Sequence, residues 1–141
     1  MDNVVYLDSK ARELENLISG KKTMIVRAAM GRKLPYGKVN IGDELYFIEN
    51  KGDGLVKAKA EVSHVFNSEK LTKEESLELI KKHQDQLMLN DSLIKRFGGK
   101  RYLVLITIKN FKALTPFKID RSGYGNMDDW LPVEDINKVK S

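Results

Sequence analysis

The chain has 141 residues, a net charge of +5 and no cysteine. Its length suits one domain, residues 1–141, with a real core, and its composition is that of an ordinary soluble globular protein. The absence of cysteine excludes disulfides and thiolate metal sites and makes the cytoplasm the default compartment, while no apolar run approaches the roughly 20 residues that span a bilayer.

In chain order, Leu7, Ala11, Leu14 and Ile18 recur at helical spacing, so a helix is expected first. Asp8 or Ser9 would cap it and Gly20 would end it. Lys22–Ala28 is rich in β-branched residues and reads as a strand, followed by a long loop to Asn40. Glu44–Glu49 and the alternating run Val56, Ala58, Ala60, Val62 predict a hairpin across an Asn50–Gly54 turn. That alternation puts His64 on the apolar face, and the small alanines imply a close neighbour.

Thr72-Lys-Glu-Glu75 is a capping box opening a helix to about Leu89. A helical turn over Asn90–Phe97, broken by Gly98-Gly99, precedes the apolar run Tyr102–Ile108, a central strand. Phe111–Ile119 reads as a further strand that lies at an edge or bends at Pro116. A glycine-rich loop, Arg121–Asn126, leads into a tail with one helical turn after Pro132. Strands in hairpin order with helices at the front and middle predict an α+β fold. The expected architecture is a mixed or antiparallel β-barrel of about five or six strands with flanking helices.

Charge singles out one segment. From Asn16 to Gly42 there is no acid, yet there are Lys21, Lys22, Arg27, Arg32, Lys33 and Lys38. A one-sign stretch repels itself, so facing an anion is its natural use. Lys22 and Arg27 fall on opposite faces of the strand; at least one lines a cleft, or both are ordinary strand-end cations. In the loop, Tyr36 sits among cations. It either stacks on a base while they hold phosphate, or packs on Pro35 in a solvated loop. Trp130 follows Asp128 and Asp129; either it stacks on a base while an adjacent Asp reads the base's donor edge, or it caps the core while they cap the turn before Pro132. Gly98-Gly-Lys-Arg101 adds a second basic cluster with Lys95 and Arg96. Glu74, at a helix start, is a general base if that helix leans over the first strand, and otherwise complements the helix dipole. Neither histidine has metal-ligand spacing, and no phosphate-binding or nucleophile-elbow motif is present, so no cofactor or metal is expected.

Gly20-Lys-Lys-Thr-Met-Ile-Val-Arg27, Ile41-Gly-Asp-Glu-Leu-Tyr-Phe47, the alternating strand to Val65 and the late Tyr102–Ile108 strand together resemble an ASCH domain, of the PUA-like superfamily that includes EVE and YTH domains. The family motif is Gly-x-Lys-x-x-Glu-x-Arg, matched by Gly20, Lys22 and Arg27. The resemblance implies a small β-barrel whose cleft binds RNA or a modified nucleotide. Some relatives are metal-independent amidohydrolases acting on an acetylated cytidine, and others cleave RNA. For such an enzyme Lys22 would be the lysine and Glu74 a loose match for the carboxylate. Ile25 stands in place of the motif's acid and of the hydroxyl the amidohydrolases use.

Overall fold

The computed structural model describes residues 1–125 and 128–141. The expected glycine-rich loop and tail meet at residues 126 and 127, which lie outside the described residues. The strands are β1 (Asp2–Asp8), β2 (Met24–Ala29), β3 (Glu44–Asn50), β4 (Leu55–Asn67), β5 (Tyr102–Lys118) and β6 (Trp130–Glu134). The helices are α1 (Glu13–Ile18), α2 (Lys73–Lys82), α3 (Gln84–Leu87) and α4 (Asp91–Phe97). One curled, half-barrel sheet of six strands runs in the order β2-β5-β4-β3-β1-β6. Only the β1–β3 pair is parallel among the described residues, so the fold is the expected α+β arrangement.

Three apolar clusters hold it. The concave face collects Val5, Ile25, Phe47, Ala58, Ala60 and Ile106, with Leu14 and Leu17 of α1. Ala58 lies opposite Phe47, and the absence of bulk there lets the phenylalanine ring stack on Phe111 at 6.1 Å. On the other face of β2 and β5, Met24, Val26, Leu103 and Leu105 meet Ile80, Leu87 and Leu93 of the helices. A third cluster, around Val4, Ile48 and Leu131, is closed by Ile136 in a 3₁₀ turn, Ile136–Lys138. That is the helical turn expected after Pro132.

Several expectations need correction. Leu7 belongs to β1, not to the first helix, so the helical stripe was wrongly phased. Ile18 is 59% exposed, while Glu13 and Leu17 face inward. Asp8 accepts from the Ala11 amide at 2.8 Å, but the helix proper starts only at Glu13, without a side-chain cap. The capping box at Thr72 is present with both of its bonds. Its helix, however, stops at Lys82, and Met88 takes a left-handed conformation after α3. The two late strands are one 17-residue strand, kinked where Asn110 has φ 54° and where the β4 register slips beside Pro116. A bulge between Val62 and His64 reverses the alternation, so Val65 packs inward and His64 is exposed. The tail is an edge strand, β6, paired antiparallel to β1.

A candidate cleft at the mouth of the half-barrel

The end of β2, the loop after it, α4 and the start of β5 enclose a cleft of about 270 Å³. Arg27, Ala28 and Ala29 line it from β2; Gly31, Lys33, Leu34 and Tyr36 from the loop. Across from them stand Arg96, Phe97, Lys100, Tyr102 and Val104, with Asp129 at the base of β6.

Local sequence places these groups firmly. The Tyr36 hydroxyl donates to the Ser68 carbonyl at 2.5 Å, and the Gly37 amide donates to Asn67 Oδ1 at 3.0 Å, so the loop is tied to the end of β4. The Tyr36 ring meets Tyr102 edge-on, with centroids 5.6 Å apart, and the Arg32 guanidinium lies over both rings at 5.9 and 5.5 Å. On the far wall, Asn90 caps α4 by accepting from the Leu93 amide at 2.9 Å. Gly98 ends that helix where a Cβ would come within 2.6 Å of the Ile94 carbonyl. The tight turn sets Arg96 and Phe97 before it and Lys100 and Tyr102 after it around one opening.

Arg27 is the hub. It is 6% exposed, and its Nη1 and Nη2 donate to the carbonyls of Val26 at 2.8 Å and Tyr6 at 2.7 Å. Its guanidinium sits 5.8 Å from the Phe97 centroid and 5.7 Å from that of Trp130. Nε lies 3.3 Å from Asp129 Oδ2, an ion pair rather than a hydrogen bond, because Nε has no partner of bonding geometry. β2 is one edge of the sheet and β6 the other, so this one side chain draws the two open edges together.

Behind the cleft lies a smaller recess of about 10 Å³, sharing Arg27, Arg96, Phe97 and Asp129 with it and reaching Glu13. Glu13 accepts from the Asp8 amide at 2.8 Å and lies 3.6 Å from Lys22 Nζ. Lys22 also donates to the Leu87 carbonyl at 2.5 Å and is 2% exposed. Burial lowers its pKa to about 8; Glu13 opposes that shift and Arg27 adds to it.

The sequence-predicted residues therefore divide. Arg27, Lys33 and Tyr36 line the cleft and Arg32 stands on its aromatic rim. Lys22 is sealed behind it. Lys21 and Lys38 are exposed and line neither recess. Trp130 is 1% exposed, donates from Nε1 to Asn3 Oδ1 at 3.2 Å, and has no open face for a base; it caps the core and backs Arg27. Glu74 is exposed on α2 and away from both recesses; Glu13 is the carboxylate that meets Lys22. Sequence reasoning missed Glu13 and Tyr102; it met Asp129 only as one of two carboxylates beside Trp130, and Arg96 and Lys100 only as part of a second basic cluster. The basic cluster around Gly98-Gly99 was the available signal for Arg96 and Lys100. Among the described residues no group of three or more His, Asp or Glu could hold a metal ion, and no helix is long and apolar enough to cross a membrane.

No protein-family model matches the sequence, and a comparison with curated proteins finds no match. Solved structures do match. The ASCH protein from Zymomonas mobilis superposes with a TM-score of 0.69 at 14% identity, over 99% of this chain and 96% of that one. A tyrosine-to-phenylalanine variant of it gives the same score and identity over 99% of both chains. A serine-to-alanine variant gives them over 97% and 92%. At that identity the likeness speaks for the backbone, and this chain has the fold of the ASCH protein, a half-barrel with flanking helices.

Proposed function

We propose that the protein binds RNA or a modified nucleotide in the cleft at the mouth of its half-barrel. The observation that carries this reading is the gathering of Lys33, Arg96 and Lys100 with Tyr36 and Tyr102 around one opening. Cations neutralise phosphate, and an aromatic face stacks on any base. The cleft volume lies near the lower end of the roughly 300–1,000 Å³ of ordinary small-molecule sites, which suits one nucleotide rather than a folded RNA surface. The fold is compatible with RNA binding in general. The test is RNA affinity measured across salt concentrations. Phosphate contacts give a log–log slope of about −0.7 per contact on single strands, so three contacts predict about −2. A flat slope, or no binding, rejects the reading.

A second reading, a metal-independent hydrolase acting on a modified nucleoside or on RNA, draws on a separate observation. Lys22 is held beside Glu13 with its pKa lowered to about 8. Lys22 has no exposed side-chain surface, so this reading requires the Glu13 recess to open to the cleft before the partly neutral amine takes a proton from water or a hydroxyl. Ile25, fully buried in the core, offers no nucleophile, so water would have to attack. Incubation with acylated cytidines and mixed RNA, read by mass spectrometry, tests it; turnover that survives Lys22→Ala rejects this mechanism.

A further inference from the structure

Among the described lining residues of the cleft there is one acid, Asp129, set in a ring of cations. Each arginine makes its approach to Oδ2, Arg27 Nε at 3.3 Å and Arg96 Nη2 at 3.5 Å, and the side chain is 33% exposed. The carboxylate is held by two arginines and, a third exposed on the lining of the cleft, still has lone pairs to offer a ligand.

Resting on the nucleotide reading above, we infer that Asp129 is a specificity residue: its carboxylate accepts from an exocyclic amino group of the bound base, and the cleft prefers amino-bearing bases over their carbonyl counterparts. The chemistry is one-directional. An amino group donates to a carboxylate, whereas a carbonyl in its place sets two acceptors against each other, and the ring N–H beside that carbonyl is reached only if the base shifts against a carboxylate held by two arginines. Phosphate recognition falls to Lys33, Lys100 and Arg96, whose side chain is half exposed beside its ion pair. Asp129 cannot share in it, because like charges repel.

The competing account makes Asp129 a mere counter-ion that an incoming phosphate has to displace, and the two accounts move in opposite directions. The experiment is calorimetric titration of the wild-type chain with two matched pairs, CMP against UMP and AMP against IMP, each differing by an amino group exchanged for a carbonyl. The inference predicts that the amino member binds about tenfold or more tightly in whichever pair the cleft admits, the discrimination a well-placed hydrogen bond gives. Asp129→Asn, whose amide is able to rotate and donate, then erases or reverses that preference. Equal affinity within both pairs overturns the inference and leaves the nucleotide reading standing. So does an Asp129→Asn variant that tightens all four alike, which is the counter-ion result. Binding of none of the four by the wild type removes both. The wild-type comparison needs no variant, so a loss of folding in Asp129→Asn does not shield the inference.

Discussion

Lys22 Nζ lies 3.6 Å from Glu13 Oε1, with both side chains almost wholly out of water. A buried pair of this kind costs desolvation that its attraction only partly offsets, and removing one partner is the severe change. Glu13→Gln is expected to lower stability by about 3 kcal/mol at pH 6. The loss shrinks at pH 9, where Lys22 sheds its proton and needs no counter-charge. Lys22→Met combined with Glu13→Gln recovers most of it. Urea unfolding at the two pH values checks all three outcomes.

The same lysine makes stability depend on pH with a definite sign. Its folded pKa, about 8, is below the ordinary 10.5, so between those values the unfolded chain binds more protons than the folded one. Stability contributed at this position therefore rises as pH climbs from 8 towards 10.5 and is least below 8. The wild type is predicted to gain stability over the Lys22→Met/Glu13→Gln chain between pH 8 and 10. A constant difference over that range contradicts the assignment.

Arg27 is predicted to matter for the fold before it matters for any ligand. Arg27→Met keeps much of the volume but leaves the Tyr6 carbonyl without its donor and Asp129 with Arg96 alone, and it separates β2 from β6. We expect a loss of about 3 kcal/mol. Because the single tryptophan stacks on this guanidinium, its fluorescence should shift as well. Arg27→Lys should restore little, since an ammonium cannot reach two carbonyls and a carboxylate with a rigid fork.

Thr72→Ala serves as a contrast. It removes the hydroxyl that accepts from the Glu75 amide at 3.1 Å, in a residue that lines neither recess. Thermal unfolding should show a loss of about 1 kcal/mol, with RNA affinity unchanged.

How much of this was legible in sequence depended on distance along the chain. The alternating strand, the capping box and the acid-free segment carry their own local signal, and each has its counterpart in the structure. β1 was missed because Leu7 also fits a helical stripe with Ala11 and Leu14; only its pairing with β3 decides the matter. β6 was missed because Trp-Leu-Pro-Val-Glu contains a proline, which an edge strand tolerates. His64 was misplaced by a bulge, which no alternation pattern announces. At the cleft, the half supplied by β2 and its loop was visible as charge. The other half comes from α4, β5 and Asp129, which topology alone brings within reach. Lys22 and Trp130 show the opposite failure: their types suited a ligand site, but their burial gave them to the framework.

The central claim is that a particular cleft, rather than a generally basic surface, takes the nucleic acid. Two variants that lose equal charge separate these directly: Arg96→Ala/Lys100→Ala inside the cleft, and Lys21→Ala/Lys38→Ala outside it. Binding of a short single-stranded RNA at fixed salt should weaken at least about tenfold in the first and hardly at all in the second, with the salt slope falling by about 1.4 only in the first. Equal weakening in both, or none in the first, would contradict the account.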